Sequence, residues 1–327
     1  MKRPRTADSP YRPPAWARNG HVNTIAAYRA GVEPVQYRRE RFETPDGDFF
    51  DVDHVDGPPD SPILVVLHGL EGSSDAPYVR AVMQQAHSRD WTGVAINNRS
   101  CSGEVNRRLT SYHAGFTDDL DQVFRAIAER MPNRPVLAVG FSLGGSQIGN
   151  WLARTTDAAE LVDGAVLVSV PLVLAASCAH IDSGLRRLYA WRFLATLRPK
   201  VKKKRRQFDG DGDVIDMARR ALRVGTIRGF DHHWTAPVHG FGDAATYYDV
   251  NHIAPRLAAI RVPTTVLHAL DDPFVPPDAV PRDAFSDAQH VDLHQTQHGG
   301  HVGWHHSDPW LSRWIVERLQ KRLSSRG

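Results

Sequence analysis

Gly140, Phe141, Ser142, Leu143 and Gly144 form the stretch that most restricts what this chain can become. The apolar run over residues 135–139 reads as a buried strand, and Ile148, Trp151 and Leu152 follow at helical spacing. A serine is therefore expected on a strand-to-helix turn, with glycine two residues to either side. That is the context the nucleophile-elbow pattern requires. Such a turn forces the serine into a strained backbone region, and a Cβ at either flanking position would collide with adjacent backbone. Taken alone, the pattern also fits a tight turn with an incidental serine, so the rest of the chain must discriminate.

Upstream, residues 35–42 and 49–55 read as two strands joined by a hairpin turn around Pro45-Asp46-Gly47, and residues 63–67 as a strand buried on both faces. His68-Gly69-Leu70-Glu71-Gly72-Ser73-Ser74 leaves that strand directly. A glycine-rich loop there can turn backbone amides toward a point above the sheet. In an acyl-transfer enzyme the amide of Leu70 would be one oxyanion donor and that of Leu143 the other. Residues 78–88 and 117–130 read as helices, and residues 92–97 and 165–170 as strands. The alternation of strand and helix from 60 to 170 predicts a doubly wound, mostly parallel sheet with ligands over the carboxyl ends of its strands.

The alternation stops over residues 172–250 and resumes with strands at 264–268 and 289–294 and a final helix at 309–323. Asp271-Asp272 follows the first of these strands and His298-Gly299-Gly300-His301 the second. Serine, acid and histidine, each just past a strand, occur in the chain order of α/β-hydrolases. Three such positions agreeing independently favour a nucleophilic site over an incidental serine. Of the histidines, His301 follows the glycine pair that lets its loop approach the elbow. His298, His305 and His306 read as surface or supporting residues. The two adjacent acids cannot be separated on the sequence alone.

Composition excludes other classes. The chain has 327 residues, 41% hydrophobic and 24% charged, with 40 Lys plus Arg against 37 Asp plus Glu. A net charge of +3 points to no nucleic-acid partner. Two cysteines, Cys101 and Cys178, cannot build a disulfide framework, and residues 1–10 are followed by no apolar leader, so a cytoplasmic protein is expected. Cys101 has no base in prospect and reads as a small packed thiol. Asp231, His232, His233, His239 and Asp243 match no metal-ligand spacing. No metal or organic cofactor is expected, nor an obligate protein partner.

With these motifs assembled, the sequence resembles the α/β-hydrolase superfamily, and more narrowly the bacterial YheT-like branch related to eukaryotic ABHD-type lipases. The similarity runs over most of the chain, from Asn19-Gly20-His21-Val22-Asn23-Thr24 through the loop at His68 and the elbow to residues 230–248, Asp271-Asp272-Pro273-Phe274 and the loop at His301. Ser100 and Ser146 stand where the family usually has glycine and asparagine, and His232 and His233 where it has an acidic residue. The resemblance implies an α/β-hydrolase fold with a helical lid and hydrolysis of short- to medium-chain acyl esters or lipid-like esters. It also favours Asp272 over Asp271, because Asp272 lies three residues after the small Ala269 that ends the strand.

The expected organisation is an arm over residues 1–34, mostly irregular, a core over 35–171 and 251–327, and a lid over 172–250. Leu185, Leu188, Tyr189 and Phe193 are candidates for lining an acyl pocket from a lid helix over 183–197. The basic run over 198–206 reads as a solvated face, with Lys202 to Arg206 placed to make weak contact with an anionic membrane. An acyltransferase using the same residues, or a non-catalytic ligand-binding relative, fits the same pattern. The latter usually lacks one triad residue, and none is missing here.

Overall fold

The computed structural model describes residues 11–29, 31–305 and 309–324. Eight strands form one sheet in the order β1-β2-β4-β3-β5-β6-β7-β8. They are β1 (Arg38–Glu43), β2 (Phe49–Val55), β3 (Ile63–Leu67), β4 (Thr92–Asn97), β5 (Val136–Phe141), β6 (Gly164–Val168), β7 (Thr264–Ala269) and β8 (Val291–Thr296). The hairpin β1–β2 and the β2–β4 pair are antiparallel, and every other pair is parallel. The chain order reverses around β3, so the carboxyl ends of β3, β5, β7 and β8 deliver their loops to one side.

The period of two in the strands divides the core. Ile63, Val65 and Leu67 join the cluster on one face, while Leu64 and Val66 join that on the other. Helices cover both faces, which is why these strands read as unbroken apolar runs. Labelling the longer helices in order, α1 is Gly20–Arg29, α2 Pro77–His87, α3 Asp118–Arg130, α4 Leu143–Arg154, α5 Leu174–Ile181, α6 Arg187–Gln207, α7 Gly212–Ala221, α8 Ala244–Asn251 and α9 Trp310–Ser324. Leu120, Val123 and Phe124 of α3 meet Ile148, Trp151 and Leu152 of α4 on one face, with the Phe124 and Trp151 rings 4.4 Å apart. Val79, Val82 and Met83 of α2 and Ile315, Val316 and Leu319 of α9 cover the other.

Two expectations need correction. The stretch after Asn19 is not irregular: it forms α1, whose buried residues are Gly20, Asn23 and Thr24. The helix expected to end near 197 continues as α6 through Pro199 and the whole basic run to Gln207. Lys204 within that run is buried, and its ammonium donates to the carbonyls of Asn106 and Arg108. Burial lowers its pKa to about 8. It is therefore a structural tie rather than part of a solvated rim. Residues 172–250 carry α5 to α8 and a π-helical turn, Asp231–Thr235, between β6 and β7.

Candidate active site

Ser142 stands at the turn between β5 and α4 with φ 52° and ψ −118°, a left-handed conformation that costs a residue with a side chain on the order of 1–3 kcal/mol. The surroundings enforce it. The Ser142 amide donates to the Val168 carbonyl at 2.8 Å and the Ser142 carbonyl accepts from the Ser146 amide at 3.0 Å. A Cβ on Gly144 would lie 2.2 Å from the His68 carbonyl oxygen, and one on Gly140 2.6 Å from the Gly145 Cα. Only glycines fit there, as the spacing implied.

The loop after β3 lies against this turn: a Cβ on Gly69 would be 3.2 Å from the Ser142 Cβ. His68 holds the loop as a neutral side chain. Its Nδ1 donates to the Gly69 carbonyl at 2.6 Å, its Nε2 accepts from the Asn98 amide at 3.1 Å, and burial lowers its pKa to about 4. Around Leu70, the Gly69 amide donates to the Tyr78 hydroxyl and the Glu71 amide to that of Tyr112. Among the described residues no protein acceptor engages the amide of Leu70 or of Leu143. Leu70, Leu143, Ser142 and His301 line one cavity of about 150 Å³.

The acid and histidine loops meet beside it. His301 Nδ1 lies 2.9 Å from Asp272 Oδ2, with both side chains buried. Burial alone would raise the Asp272 pKa. The adjacent imidazole, with the Phe274 amide donating to Oδ1 at 2.8 Å, instead holds it below the usual carboxylate value. Asp271 points elsewhere: it accepts from the Gly300 amide at 2.8 Å and faces His298 at 3.2 Å. The two adjacent acids thus take the two histidines separately. The Asp272 contact occupies Nδ1 and leaves Nε2 as the free ring nitrogen. No hydrogen bond joins Ser142 to His301 in this structure, although both face the same cavity. His305 lies under α1, its amide donating to Asn23 Oδ1 at 3.0 Å, and His306 is outside the described residues.

Sequence reasoning missed two supports. The first is α1. A Cβ on Gly20 would sit 1.8 Å from the Asp271 carbonyl oxygen, so the helix packs directly on the acid loop. From there Thr24 Oγ1 accepts from the His301 amide at 2.8 Å and donates to the Gly20 carbonyl at 2.7 Å. The motif around Asn19 carried this signal, but nothing local said what it would touch. The second is Lys200 of α6, whose ammonium lies 2.7 Å from Glu71 Oε1 and 3.3 Å from Cys101 Sγ. It fastens that helix to the loop bearing Leu70. Burial raises the Cys101 pKa to about 11, which leaves a protonated thiol and no nucleophile.

The pocket candidates divide. Phe193 lines the cavity, together with Leu174, Ile181, Leu197, Phe230 and Trp234. Tyr189 lines a second cavity of about 390 Å³, between α1 and α6, which shares Leu70, Glu71, Phe193 and Phe274 with the first. Leu185 and Leu188 are 84% and 69% exposed and line neither, which corrects their assignment. The reason is helical phase: Ala190, Leu194 and Val201 take the buried face of α6, and Leu185 precedes the helix in the turn Gly184–Arg186. The acid and histidine cluster after Phe230 also disperses. Asp231 accepts from Thr235 and Tyr248, His239 packs 4.6 Å from His113, and Asp243 caps α8. Among the described residues no three His, Cys, Asp or Glu side chains gather as a metal site. No helix among them is long and apolar enough to cross a membrane.

Residues 62–305 match the family model described as alpha/beta hydrolase fold. Over 94% of its length the chain is 35% identical to the Escherichia coli (strain K12) protein YheT, covering 92% of that protein. It is 32% identical to a Monoacylglycerol lipase of Saccharomyces cerevisiae, over 88% of this chain and 63% of the relative, and 29% identical to human Phospholipase ABHD3, over 95% and 78%. The Pyrococcus furiosus esterase Pf2001 shares the fold with a TM-score of 0.57 at 14% identity, covering 98% of this chain and 97% of the other. The chain belongs to the α/β-hydrolase fold family, on the branch that holds YheT and ABHD3.

Proposed function

We propose that this protein is a carboxylic ester hydrolase that works through an acyl-enzyme on Ser142, with acyl esters of short to medium chain or lipid-like esters as substrates. The observation that supports the reading is that Ser142, His301, Leu70 and Leu143 line one largely apolar cavity, with Asp272 beside the imidazole and the amides of Leu70 and Leu143 engaged by no protein acceptor among the described residues. A serine hydroxyl is a poor nucleophile near neutral pH and needs a base within reach. As Oγ attacks the ester carbonyl carbon, His301 Nε2 takes its proton. Asp272 holds the ring with Nε2 presented and stabilises the imidazolium. The carbonyl oxygen becomes an oxyanion that the amides of Leu70 and Leu143 receive. Collapse breaks the ester C–O bond, and His301 returns its proton to the departing alcohol. Water, deprotonated by the same imidazole, then releases the acid and regenerates Ser142. The cavity side chains contributed by residues 172–250 would hold the acyl chain, and this segment would act as the lid.

The yeast and human relatives, named as a lipase and a phospholipase, support a lipid-like ester. A chromogenic-ester series from acetyl to long acyl chains tests the reading. Ser142→Ala should lower turnover on the order of 10⁵-fold while leaving the thermal transition in place. Activity near wild type in that variant would overturn it. Adding a short alcohol to the assay separates hydrolysis from acyl transfer, because a transferase would form the new ester in preference to the acid.

A further inference from the structure

Helix α1 buries small and polar residues and leaves large apolar ones in solvent. Its buried side carries Gly20, Asn23 and Thr24, committed to the acid and histidine loops, so its apolar Val22, Ile25 and Tyr28 face solvent. Across from it, Leu185 in the turn before α6 and Leu188 and Trp191 at the start of α6 are exposed too, Trp191 by 63%. His21 and Tyr189 join the two elements, their rings stacked 5.7 Å apart and His21 Nδ1 3.0 Å from the tyrosine hydroxyl. Scattered exposed apolar residues are ordinary, but a contiguous group of large ones marks an interaction surface. This group flanks the 390 Å³ cavity that shares Leu70, Phe193 and Phe274 with the candidate active site.

Charge identifies the occupant. Neither α1 nor α6 contains an acidic residue. Arg29, Arg187 and Arg192 are exposed, and among the described residues none of the three forms an ion pair. A second copy of the chain seated here would set arginine against arginine. Apolar side chains ringed by cations, with Tyr28 and Trp191 able to place a polar edge in water, instead match lipid headgroups over acyl chains.

We propose that α1 and the start of α6 form a docking face for an anionic lipid surface, set beside the cavity that shares Leu70, Phe193 and Phe274 with the candidate active site. Docking would deliver an ester to that cavity without its crossing water. The inference rests on the ester-hydrolase reading only for what docking serves, since attachment is measured without turnover. The experiment is co-sedimentation of the full chain, carrying Ser142→Ala to prevent hydrolysis, with vesicles of phosphatidylcholine alone and with added phosphatidylglycerol. The chain should bind the anionic vesicles, more weakly as salt rises. Leu188→Ser with Trp191→Ser should reduce that binding roughly tenfold, and Arg187→Gln with Arg192→Gln should reduce it by a similar factor. In the background that retains Ser142, the Leu188 and Trp191 changes should leave turnover of a soluble short-chain ester within about twofold, because neither side chain lines the candidate site. Unchanged vesicle binding in both double variants would overturn the proposal. So would a concentration-dependent dimer that the same substitutions abolish, which would assign the face to a second copy. Absence of ester turnover with vesicle binding intact would fail the hydrolase reading and leave the docking face standing.

Discussion

Thr24 shows how one hydroxyl can hold the backbone of the proposed base, His301, without touching its ring. Thr24→Val keeps the shape but leaves the buried His301 amide without its acceptor, a loss of about 1–3 kcal/mol. The loop should drift, so kcat should fall roughly tenfold with KM little changed. Thr24→Ser should restore most of it, and steady-state kinetics on a soluble ester checks both. Asp231 makes a different demand. Burial raises its pKa to about 6, although the hydroxyls of Thr235 and Tyr248 favour its charged form. Its folded value thus lies above the unfolded one near 3.8, so folding favours the neutral carboxyl. Its stabilising contribution is complete below about pH 4 and is lost as pH rises through about 6. Asp231→Asn does not titrate, so the melting temperature of the variant relative to wild type should climb between pH 4 and pH 7. A constant difference would refute the assignment.

Among the elements, the central strands were the most legible, because burial on both faces leaves an unbroken apolar run that needs no partner to be recognised. The elbow was legible too, since its glycines are dictated by backbone within a few residues. Helix α1 was not: its buried side is polar, and periodicity is read from apolar residues. Helix α6 was misread at its carboxyl end. Pro199 and the basic run suggested a stop, whereas Lys200 and Lys204 find partners roughly a hundred residues away, at Glu71, Asn106 and Arg108. The residues alone left Asp271 and Asp272 open and the family resemblance favoured Asp272, whereas the structure separates them by which histidine each faces. The tie between α6 and the Leu70 loop has a measurable consequence. Lys200→Met leaves the buried Glu71 carboxylate with only the Tyr112 hydroxyl and no cation, and should lower kcat/KM by roughly ten- to a hundredfold. Adding Glu71→Gln should recover part of the loss, giving a coupling energy above about 0.5 kcal/mol in a double-mutant cycle. Strict additivity would show that the pair does not act as a unit.

At the scale of the whole molecule, the chain fastens its beginning to its far end around the candidate site. Tyr11 donates to the His305 carbonyl at 2.6 Å and packs 4.9 Å from the Trp310 ring, while Asn23 and Thr24 hold the amides of His305 and His301. Removing residues 1–29 should therefore do more than shorten a terminus. Ester turnover should fall by at least roughly a hundredfold as the acid and histidine loops lose their support. The sheet should survive, because its strands pair without that segment. Activity assays beside far-ultraviolet circular dichroism distinguish this from general unfolding.

The contact between Thr24 and His301 spans 277 positions of sequence. During translation α1 leaves the ribosome early and must wait roughly 14–55 s, at ~5–20 residues per second, for the loop it will hold. Ser142 and Asp272 are by then already outside. On the proposed mechanism, the nascent chain would be kept from acting on esters by the order of its own synthesis, with His301, the proposed base, reaching a seat already prepared. Ribosome-bound chains arrested with residue 305 still in the exit tunnel should be inactive, and release should switch them on.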